Sequence, residues 1–585
     1  MTYVEEKVRQ SLQNATPASD KATHPCSSHL ELAENIARNS VKWQDGSGRI
    51  IDPYEKKEAN TATARYVGAL GLLIMQGRCQ DLTESCARAL TPALEDLFHA
   101  RTSWGDFIVK EACMAYVAIK DKVSQDVAGQ WRHLLADYEP AQVYNMKHLH
   151  NFRTFAIAGE AIKKKLLLAD NEEFTDRYIE QQLTLFDKNG MYNDPNSPMT
   201  YDMTSRMNLS LALWAGYRGK YFEELSETLE RGGLAQLLYQ SSTGECPFGG
   251  RSNQQNFNEA SFAIICEFEA NRWAGKGDWA MAGAFKRAAS LAINSIEKYL
   301  RETPVHFTKN MFPPETQHGR QKGYGAYSPY SLLIASQLGF ARLVANKDIK
   351  EQNCPAERGG YIFITENSFH KIFANCGGVH IEIDTNADFH YDATGLGRIH
   401  FAGAPAELAL SIPITSSPEY LTLIPPSAKN IAIGPGGNGI WLAKLNGDRL
   451  LSNCKIFEER HEGINFSVDY NFEGNTITER YRVSSTGIEL AVTKNEGGAI
   501  AFTVPLLETN GLDVTEIQTH NNGFEVLLHD FIYHVKCLTP DVKISIEDIE
   551  VPNRNGIYKI GRFSANANRL DIRFSVGRAS ALRSS

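Results

Sequence analysis

The sequence changes its periodicity once, near residue 350, and this change constrains the fold more than any other feature. From about Leu30 to Ala345, apolar residues recur at spacings of three and four, with polar breaks roughly every 12–20 residues. After about Cys354, the pattern becomes alternating runs rich in β-branched and aromatic residues, separated by Gly, Asn and Asp turns. The first part therefore predicts helices, and the second predicts an antiparallel β domain.

The helical part predicts an (α/α) toroid of about six helix pairs. No short repeat of fixed period is visible, which favours a toroid of divergent helix hairpins over a solenoid of similar units. The polar stretch 346–358 is the predicted linker. We therefore expect a multidomain α + β protein with a toroid over 1–350 and an antiparallel β-sandwich over 351–585. The predicted helices begin near Leu30, Thr61, Leu82, Asp106, Ser124, Asn151, Glu172, Thr200, Tyr221, Gln255, Asp278 and Ser328.

Charge and hydropathy exclude several classes of function. The 585 residues carry a formal net charge of −9 without basic runs, which disfavours a dedicated nucleic-acid binder. The apolar stretch 67–75 is far shorter than the roughly 20 residues that span a bilayer, so no membrane segment is expected. The chain as given begins without the apolar core of a secretory signal, so a cytoplasmic location is expected, and a periplasmic or secreted one if a signal was removed.

Two segments place polar side chains where a loop enters a predicted helix. In the first, His148, His150, Asn151 and Arg153 cluster at a helix amino terminus, a position that favours anions. The alternative is that Asn151 caps the helix and the histidines are structural. In the second, a Pro/Asn-rich loop leads into a helix that carries Tyr201, Asp202 and Arg206. Its tyrosines could instead be half-buried aromatic residues with wet hydroxyls.

Two further segments combine arginine with residues that suit sugar recognition. Gly249 and Gly250, which permit a tight backbone approach, precede Arg251, which can bind a carboxylate through a bidentate contact. The amide side chains that follow suit sugar hydroxyls. The alternative is a helix-entry turn with solvated amides. A Gly/Pro-rich loop further on offers cations and aromatic platforms. The polar residues of these two segments are Asn253, Gln255, Asn256, Asn258 and Glu259, followed by His318, Arg320, Lys322, Tyr324, Tyr327 and Tyr330.

One strand of the β part carries a set of potential metal ligands. His380, Glu382 and Asp384 lie on one face by alternation, with His390 and Asp392 beyond them. Such ligands suit zinc, manganese or iron, although no fixed-spacing signature is present. We therefore favour a solvated strand face over a divalent cation, expect no required cofactor, and expect His390 or Tyr391 to reach the cleft from the sheet.

The order of these features resembles the heparinase II/III-like and related toroid polysaccharide lyases. The resemblance covers most of the chain and depends on His150–Asn151 in the toroid, Tyr201 fifty residues later, Arg251 in an amide-rich turn, and His390 from the sheet. It implies β-elimination at a 4-linked uronic acid, which leaves a 4,5-unsaturated sugar. The partner would then be a uronic-acid oligosaccharide or polysaccharide; homo-oligomerisation stays open.

The resemblance also implies roles for individual residues. Neutralising the uronate carboxylate is assigned to Asn151 and Arg251, and acid–base catalysis to Tyr201 with His150 or His390. Free tyrosine has a pKa near 10, so a cation must stabilise its anion, and Arg206 lies one turn beyond Tyr201. The further substrate-binding candidates are Arg206, Asn253, Asn256, Glu259, His318, Arg320, Tyr324 and Tyr327.

Two other functions remain open at this point. A glycoside hydrolase on the same architecture would use a carboxylate pair such as Asp202 and Glu259. A noncatalytic glycan-binding protein would need only the aromatic clefts. Elimination creates a conjugated double bond that absorbs in the near ultraviolet, whereas hydrolysis does not, so the product discriminates between them.

Overall fold

The computed structural model describes residues 1–13, 17–18, 27–99, 101, 105–140, 149–425, 427–428, 431–437, 451–472, 475–495 and 497–579. His148 lies outside these ranges. All twelve helices that the periodicity predicts are present, and each begins within three residues of its expected start. The helices are α1 (Tyr3–Ser11), α2 (Ser27–Ser40), α3 (Ala62–Met75), α4 (Thr83–Phe98), α5 (Val109–Ile119), α6 (Gln125–Ala136), α7 (Phe152–Lys165), α8 (Glu172–Leu183), α9 (Met199–Ala215), α10 (Phe222–Tyr239), α11 (Phe257–Gly275), α12 (Trp279–Arg301), α13 (Tyr327–Val344) and α14 (Pro355–Arg358).

Helix α3 shows how the toroid packs. All of its residues from Ala62 to Ile74 are buried, so the helix is covered on every side rather than along one stripe. Gly68 allows α5 to approach closely, since a Cβ atom there would lie 2.5 Å from the Cβ of Glu111. The close approach brings Glu111 of α5 within 3.6 Å of Arg65 of α3.

The part after residue 358 consists of antiparallel strands in three sheets. The sheet orders are β1-β2-β3-β4, β14-β15-β10-β5 and β11-β12-β13-β16-β9-β8-β7-β6. Strands of all three sheets contribute to one apolar core. The strands are β1 (Gly359–Ile364), β2 (Lys371–Cys376), β3 (Val379–Asp384), β4 (Gly395–Phe401), β5 (Gly436–Gly437), β6 (Leu451–Arg460), β7 (Gly463–Phe472), β8 (Asn475–Ser484), β9 (Gly487–Lys494), β10 (Ile500–Thr509), β11 (Glu516–His520), β12 (Gly523–Leu528), β13 (Phe531–Cys537), β14 (Lys543–Pro552), β15 (Ile557–Ala565) and β16 (Arg569–Arg578).

The first sheet, β1–β4, lies between the two cores. Phe363 and Phe373 belong to the apolar core of the helical part. Ile362 and Ile381 belong to the core of the β part. Because successive side chains of a strand point to opposite faces, the sheet contacts the toroid with one face and the other sheets with its second face.

The prediction that strand β3 has a solvated polar face is wrong. His380, Glu382 and Asp384 do alternate with apolar residues, but each is fully buried. Glu382 lies 3.3 Å from the Nζ of Lys371 and 3.2 Å from Arg398, and Asp384 lies 2.9 Å from the same Nζ. Their charges are thus matched by protein cations. No group of three or more metal-ligating side chains occurs among the described residues.

Helix α1 is an element that the periodicity does not predict. Val4 and Val8 are buried, and the hydroxyl of Ser11 donates to the carbonyl of Gly359 at 2.8 Å. Lys7 pairs with Glu459 of strand β6. The amino-terminal helix is therefore fixed against strands that lie more than three hundred residues away in the chain.

Within the ranges that the structure describes, no helix is both long enough and apolar enough to cross a bilayer. This agrees with the short apolar run at 67–75.

Candidate active site

A cluster of three hydroxyl groups lies at the amino terminus of helix α9. Tyr201 stands in the first turn of α9, half-buried, after the N-cap Pro198. Its Oη lies 3.3 Å from the Oγ of Ser252 and 3.4 Å from the Oη of Tyr324. Ser252 and Tyr324 are 2.7 Å apart. Three of the predicted segments, those around 201, 251 and 324, thus meet at one point.

Arg251 lies over the ring of Tyr201. Its guanidinium carbon is 4.4 Å from the ring centroid, and it donates to Asp194 and, at 3.0 Å, to the carbonyl of Pro195. Burial lowers the pKa of Arg251, but the neighbouring Tyr201 and Asp194 outweigh this and leave it raised. The cation is therefore held in its charged form beside the tyrosine.

The turn that carries Arg251 requires glycine. Gly250 has a φ of 73°, and a Cβ atom there would lie 2.5 Å from the Cβ of Pro198. Any other residue would push the turn away from the start of α9. The glycine therefore sets the distance between Arg251 and Tyr201.

Asn151 joins the same group through Asp194. Its backbone N–H and its side-chain amide donate to the Oδ1 of Asp194, at 2.8 and 2.9 Å. Asn151 is the N-cap residue of α7 by position, but its side chain makes no capping hydrogen bond. Its Oδ1 has no hydrogen-bond partner among the described residues. Asp194, which the sequence did not single out, thus links Asn151 to Arg251.

Two cavities are lined by residues that contact Tyr201. The smaller, of about 240 Å³, is lined by Arg251, His390 and Tyr391 among others. The larger, of about 350 Å³, is lined by Tyr324, Tyr330 and Arg320 among others. Tyr201 contacts one wall residue of each cavity, Arg251 and Tyr324. Tyr201 is not itself among the residues that line either cavity, so these two contacts connect it to both spaces.

His390 and His150 differ in how they are placed. His390 lines the smaller cavity, 38% of its side chain is exposed, and its Nδ1 lies 2.9 Å from Asp388. The ring of His150 packs against Phe152 at 4.2 Å, and its Nδ1 accepts from the backbone N–H of the same residue. His390, in the loop between β3 and β4, thus lines a cavity together with residues of the helical part.

Two buried residues of the β part, Arg554 and Asp392, bind the backbone of the turn that carries Arg251. Arg554, in the turn between β14 and β15, donates to the carbonyl of Asn253 and to Gln321, and packs on Tyr420. Its Nε has no hydrogen-bond partner among the described residues. Asp392 accepts from the N–H of Gly250 at 2.7 Å, and burial raises its pKa to about 7. Arg554 carries no local sequence signal, whereas the sequence places Asp392 among the potential metal ligands and the structure binds it to the Gly250 backbone.

Arg206 does not stabilise Tyr201, contrary to the expectation from spacing. It is fully buried and donates twice to Asp202, at 2.8 and 2.7 Å, and also contacts Tyr239. Residues four apart share a helix face, so Arg206 is aligned with Asp202 rather than with Tyr201. Arg251 takes the place that the spacing assigned to Arg206.

Other predicted binding residues lie in buried contacts away from both cavities. Glu259 pairs with Lys309, and Asn256 donates to the carbonyl of His306. Tyr327 donates to the carbonyl of Val305 at 2.9 Å. Burial lowers the pKa of His318 to about 4, and its Nε2 lies 2.7 Å from a backbone carbonyl. These side chains are bonded to protein partners.

Asn253 and Arg320 remain close to the site. The amide of Asn253 donates to the carbonyl of Gly250 and supports the Arg251 turn. Arg320 lines the larger cavity and pairs with Glu55. Asn253 therefore holds the Arg251 turn in place, while Arg320 lines the cavity itself.

Comparison with known proteins finds similarity of fold without similarity of sequence. No family model and no curated protein matches the chain. A heparinase III structure matches at 10% identity and a TM-score of 0.51, over 97% of this chain and 88% of its own. A chondroitin AC lyase of Streptomyces coelicolor A3, in complex with chondroitin sulphate, matches at 10% identity and a TM-score of 0.53, over 98% and 82%. A Paenibacillus xanthan lyase matches at 10% identity and a TM-score of 0.50, over 96% and 59%.

These matches establish the fold over nearly the whole chain. An amino-terminal helical toroid followed by an antiparallel β domain is common to this chain and to those toroid lyases, which confirms the predicted fold class. At about one tenth identity, the likeness does not extend to the reaction.

Proposed function

We propose that this protein is a polysaccharide lyase that cleaves a 4-linked uronic acid glycan by β-elimination. The observation that carries the proposal is the position of Tyr201, which contacts a wall residue of each of two cavities: its hydroxyl lies 3.4 Å from Tyr324, and Arg251 covers its ring at 4.4 Å. The fold shared with heparinase III and chondroitin AC lyase supports this assignment. The product is a 4,5-unsaturated uronate at the new non-reducing end.

Carboxylate neutralisation is the first task of such a reaction. The proton on C5 of a uronate is weakly acidic while the adjacent carboxylate keeps its full negative charge, so donors aimed at that carboxylate lower the barrier. Arg251 can present guanidinium N–H groups besides those bound to Asp194 and Pro195. Asn151 has a second amide hydrogen. Asp194 orients both side chains in the proposed complex.

Proton transfer is the task of Tyr201. As a phenolate it takes the C5 proton, the electron pair forms the C4–C5 double bond, and the C4–O bond breaks. Arg251 stabilises the phenolate from the ring face, and Ser252 and Tyr324 can donate to its oxygen. The leaving oxygen takes a proton from Tyr201 itself or from His390, which lines the adjoining cavity, or His150.

The two carboxylates that a hydrolase would need, Asp202 and Glu259, are not accessible to a substrate. Asp202 is fully buried and paired with Arg206, and Glu259 is fully buried and paired with Lys309. A pair of glycosidase carboxylates must flank the scissile bond, which these two cannot reach. The noncatalytic alternative needs no hydroxyl at position 201, and the experiment below tests that point.

The first experiment follows absorbance in the near ultraviolet while the protein is incubated with a panel of uronic-acid glycans, with and without a chelator. We expect the absorbance to rise with at least one glycan, and to do so equally with chelator, because no metal is assigned a role. Sugar release without an absorbance rise would contradict elimination. Loss of the rise with chelator would instead favour a cation.

The second experiment replaces Tyr201 by Phe, which removes only the hydroxyl. We expect turnover to fall by about a hundredfold or more, because general acid–base groups contribute at least that much. Glycan affinity and thermal stability should stay close to the unmodified protein. The control is Tyr66→Phe, which removes a buried hydroxyl that contacts Ser85 in the toroid and should leave turnover unchanged. Equal turnover in Tyr201→Phe would contradict the proposal.

A further inference from the structure

The larger cavity beside Tyr201 has features that the elimination does not use. Its volume of about 350 Å³ falls in the range of roughly 300–1,000 Å³ that is usual for small-ligand sites. Phe107, Tyr324 and Tyr330 supply aromatic walls, and Arg65 and Arg320 supply positive charge. Aromatic faces and cations together suit an acidic sugar better than a neutral one.

The acidic residues around this cavity already have protein partners. Glu55 accepts from Arg320 and lies 3.6 Å from Lys57. Glu58 accepts from Arg49 at 2.8 Å. These carboxylates are therefore compensated, and they do not account for the charge of Arg65.

Arg65 lacks a full partner of its own. The residue is only 6% exposed, its Nε donates to Thr61 at 3.2 Å, and its Nη1 has no hydrogen-bond partner among the described residues. The nearest carboxylate is Glu111, 3.6 Å away, and Lys110 lies closer to the same oxygen at 3.2 Å. Two buried cations thus share one buried carboxylate.

This arrangement leaves excess positive charge at the wall of the cavity. Burial lowers the pKa of Arg65, and the attraction of Glu111 only partly offsets that effect. A buried charge without a matched partner costs free energy, and an anion in the cavity would supply the partner. The cavity therefore has an electrostatic reason to bind a negative group.

We propose that the cavity is a subsite for a sugar that carries a second acidic group, a carboxylate or a sulfate, bound by Arg65. The position of the subsite in the reaction depends on the proposed function, because Tyr324 of the cavity wall lies 3.4 Å from the hydroxyl of Tyr201. The substrate is then a glycan in which a sugar beside the cleaved uronate is also acidic.

The test is calorimetric titration with three probes: methyl glucuronide, methyl glucoside 6-sulfate, and neutral methyl glucoside. Each is titrated into the full chain, into Arg65→Met and into Arg65→Lys. We expect at least one acidic probe to bind the unmodified protein about tenfold or more tightly than the neutral probe. Arg65→Met should remove that preference without changing the affinity for the neutral probe, and Arg65→Lys should keep part of it. The preferred probe identifies carboxylate or sulfate.

The control variant is Arg88→Met, which removes an exposed cation of the toroid that contacts Gln44. It should keep the full preference. Arg65→Met leaves Lys110 and Glu111 as a balanced pair, so we expect it to fold, which thermal unfolding checks. If Arg65→Met does not fold, Arg65→Lys decides instead: a reduced preference for the acidic probe over the neutral probe would support the subsite, and an unchanged preference would contradict it.

Three results would overturn the subsite: no probe binds, the acidic and neutral probes bind equally, or Arg65→Met weakens all three probes alike. The outcome is independent of the lyase assay. A preference that depends on Arg65 together with no ultraviolet product would keep the subsite and reject the lyase. An ultraviolet product without a preference for the acidic probes would keep the lyase and reject the subsite.

Discussion

The two arginines near Tyr201 show that burial and partners decide what a charged side chain can do. Arg206 is fully buried and paired with Asp202, whereas a quarter of the Arg251 side chain is exposed at a cavity. A fully buried pair holds the fold together, and a partly exposed cation with spare donors can meet a ligand. The same residue type thus serves stability in one position and recognition in the other.

Replacing each arginine by Met should separate these roles. Arg206→Met leaves Asp202 buried without its partner, so we expect a loss of about 3–5 kcal/mol in the free energy of unfolding. Arg251→Met should cost less stability, because the Arg251 side chain is 25% exposed and the buried Asp194 keeps two hydrogen bonds from Asn151. It should lower turnover by about a hundredfold or more, because the charge that faces the substrate is lost. Denaturant unfolding and the ultraviolet assay measure both effects. An active, stable Arg206→Met and an active Arg251→Met would contradict the assignment.

Asp392 should make stability depend on pH. Burial raises its pKa from 3.8 to about 7, so the folded protein keeps a proton that the unfolded chain has already released. The stability that this proton confers is complete below about pH 4 and is lost as the pH rises through 7. Asp392→Asn removes the titration. Its melting temperature relative to the unmodified protein should therefore rise between pH 5 and pH 8.

The control for this titration is Asp121→Asn, which changes an exposed aspartate of the toroid. Its melting temperature relative to the unmodified protein should stay level over the same range. A level difference for Asp392→Asn as well would show that Asp392 is ionised in the folded protein throughout.

Among the elements, the positions of helices α2 to α13 were predictable from the sequence, but the partners against which helix α1 and strand β3 pack were not. Each of α2 to α13 has apolar spacing and a break at its start, which are local signals. Helix α1 is short and charged, and its burial depends on β1, hundreds of residues later. The alternation in β3 was correct, but only the packed sheet shows that its polar face meets cations and not water.

The contact between α3 and α5 gives a prediction with a matched control. Gly68→Ala places a Cβ atom 2.5 Å from the Cβ of Glu111, so we expect a loss of about 1–3 kcal/mol in stability. Gly129→Ala, at an exposed position of helix α6 where the new Cβ would meet no atom within 4 Å, should gain about 0.5–1 kcal/mol. Thermal or denaturant unfolding checks both signs. Equal effects from the two changes would mean that the helices are not packed as described.

At the scale of the whole molecule, helix α1 holds the helical part against the β part. Val8 is fully buried, and Lys7 and Ser11 bond to residues of β6 and β1. The polar side of the first sheet adds buried ion pairs at the same junction, such as Arg398 with Glu382 and Glu245. The two parts are therefore joined by several independent contacts.

Replacing Val8 by Asp should weaken this junction. A buried carboxylate without a partner is costly, so we expect the melting temperature to fall and the calorimetric transition to broaden as the two parts lose their coupling. Glu6→Gln, on the exposed side of the same helix, should change neither. A sharp, unshifted transition in Val8→Asp would show that α1 does not hold the two parts together.

The site itself was predictable only where its residues lie in dense local segments. The segments around Tyr201, Arg251 and Tyr324 are rich in polar and aromatic residues, and the structure brings them together. Arg554 lies in Asn-Arg-Asn-Gly, which reads as an ordinary turn, and 301 positions separate it from Asn253. Long-range pairing of this kind leaves no trace in a local pattern.

Arg554 also determines when the site becomes complete during synthesis of the chain. The ribosome releases the residues of the toroid first, so Tyr201, Arg251 and Tyr324 can fold before the turn at 553–556 exists. Until that turn arrives, the carbonyl of Asn253 and the amide oxygen of Gln321 lack their buried guanidinium. While the chain grows, the site around Tyr201 therefore lacks the support of Arg554 until the turn at 553–556 has been synthesised.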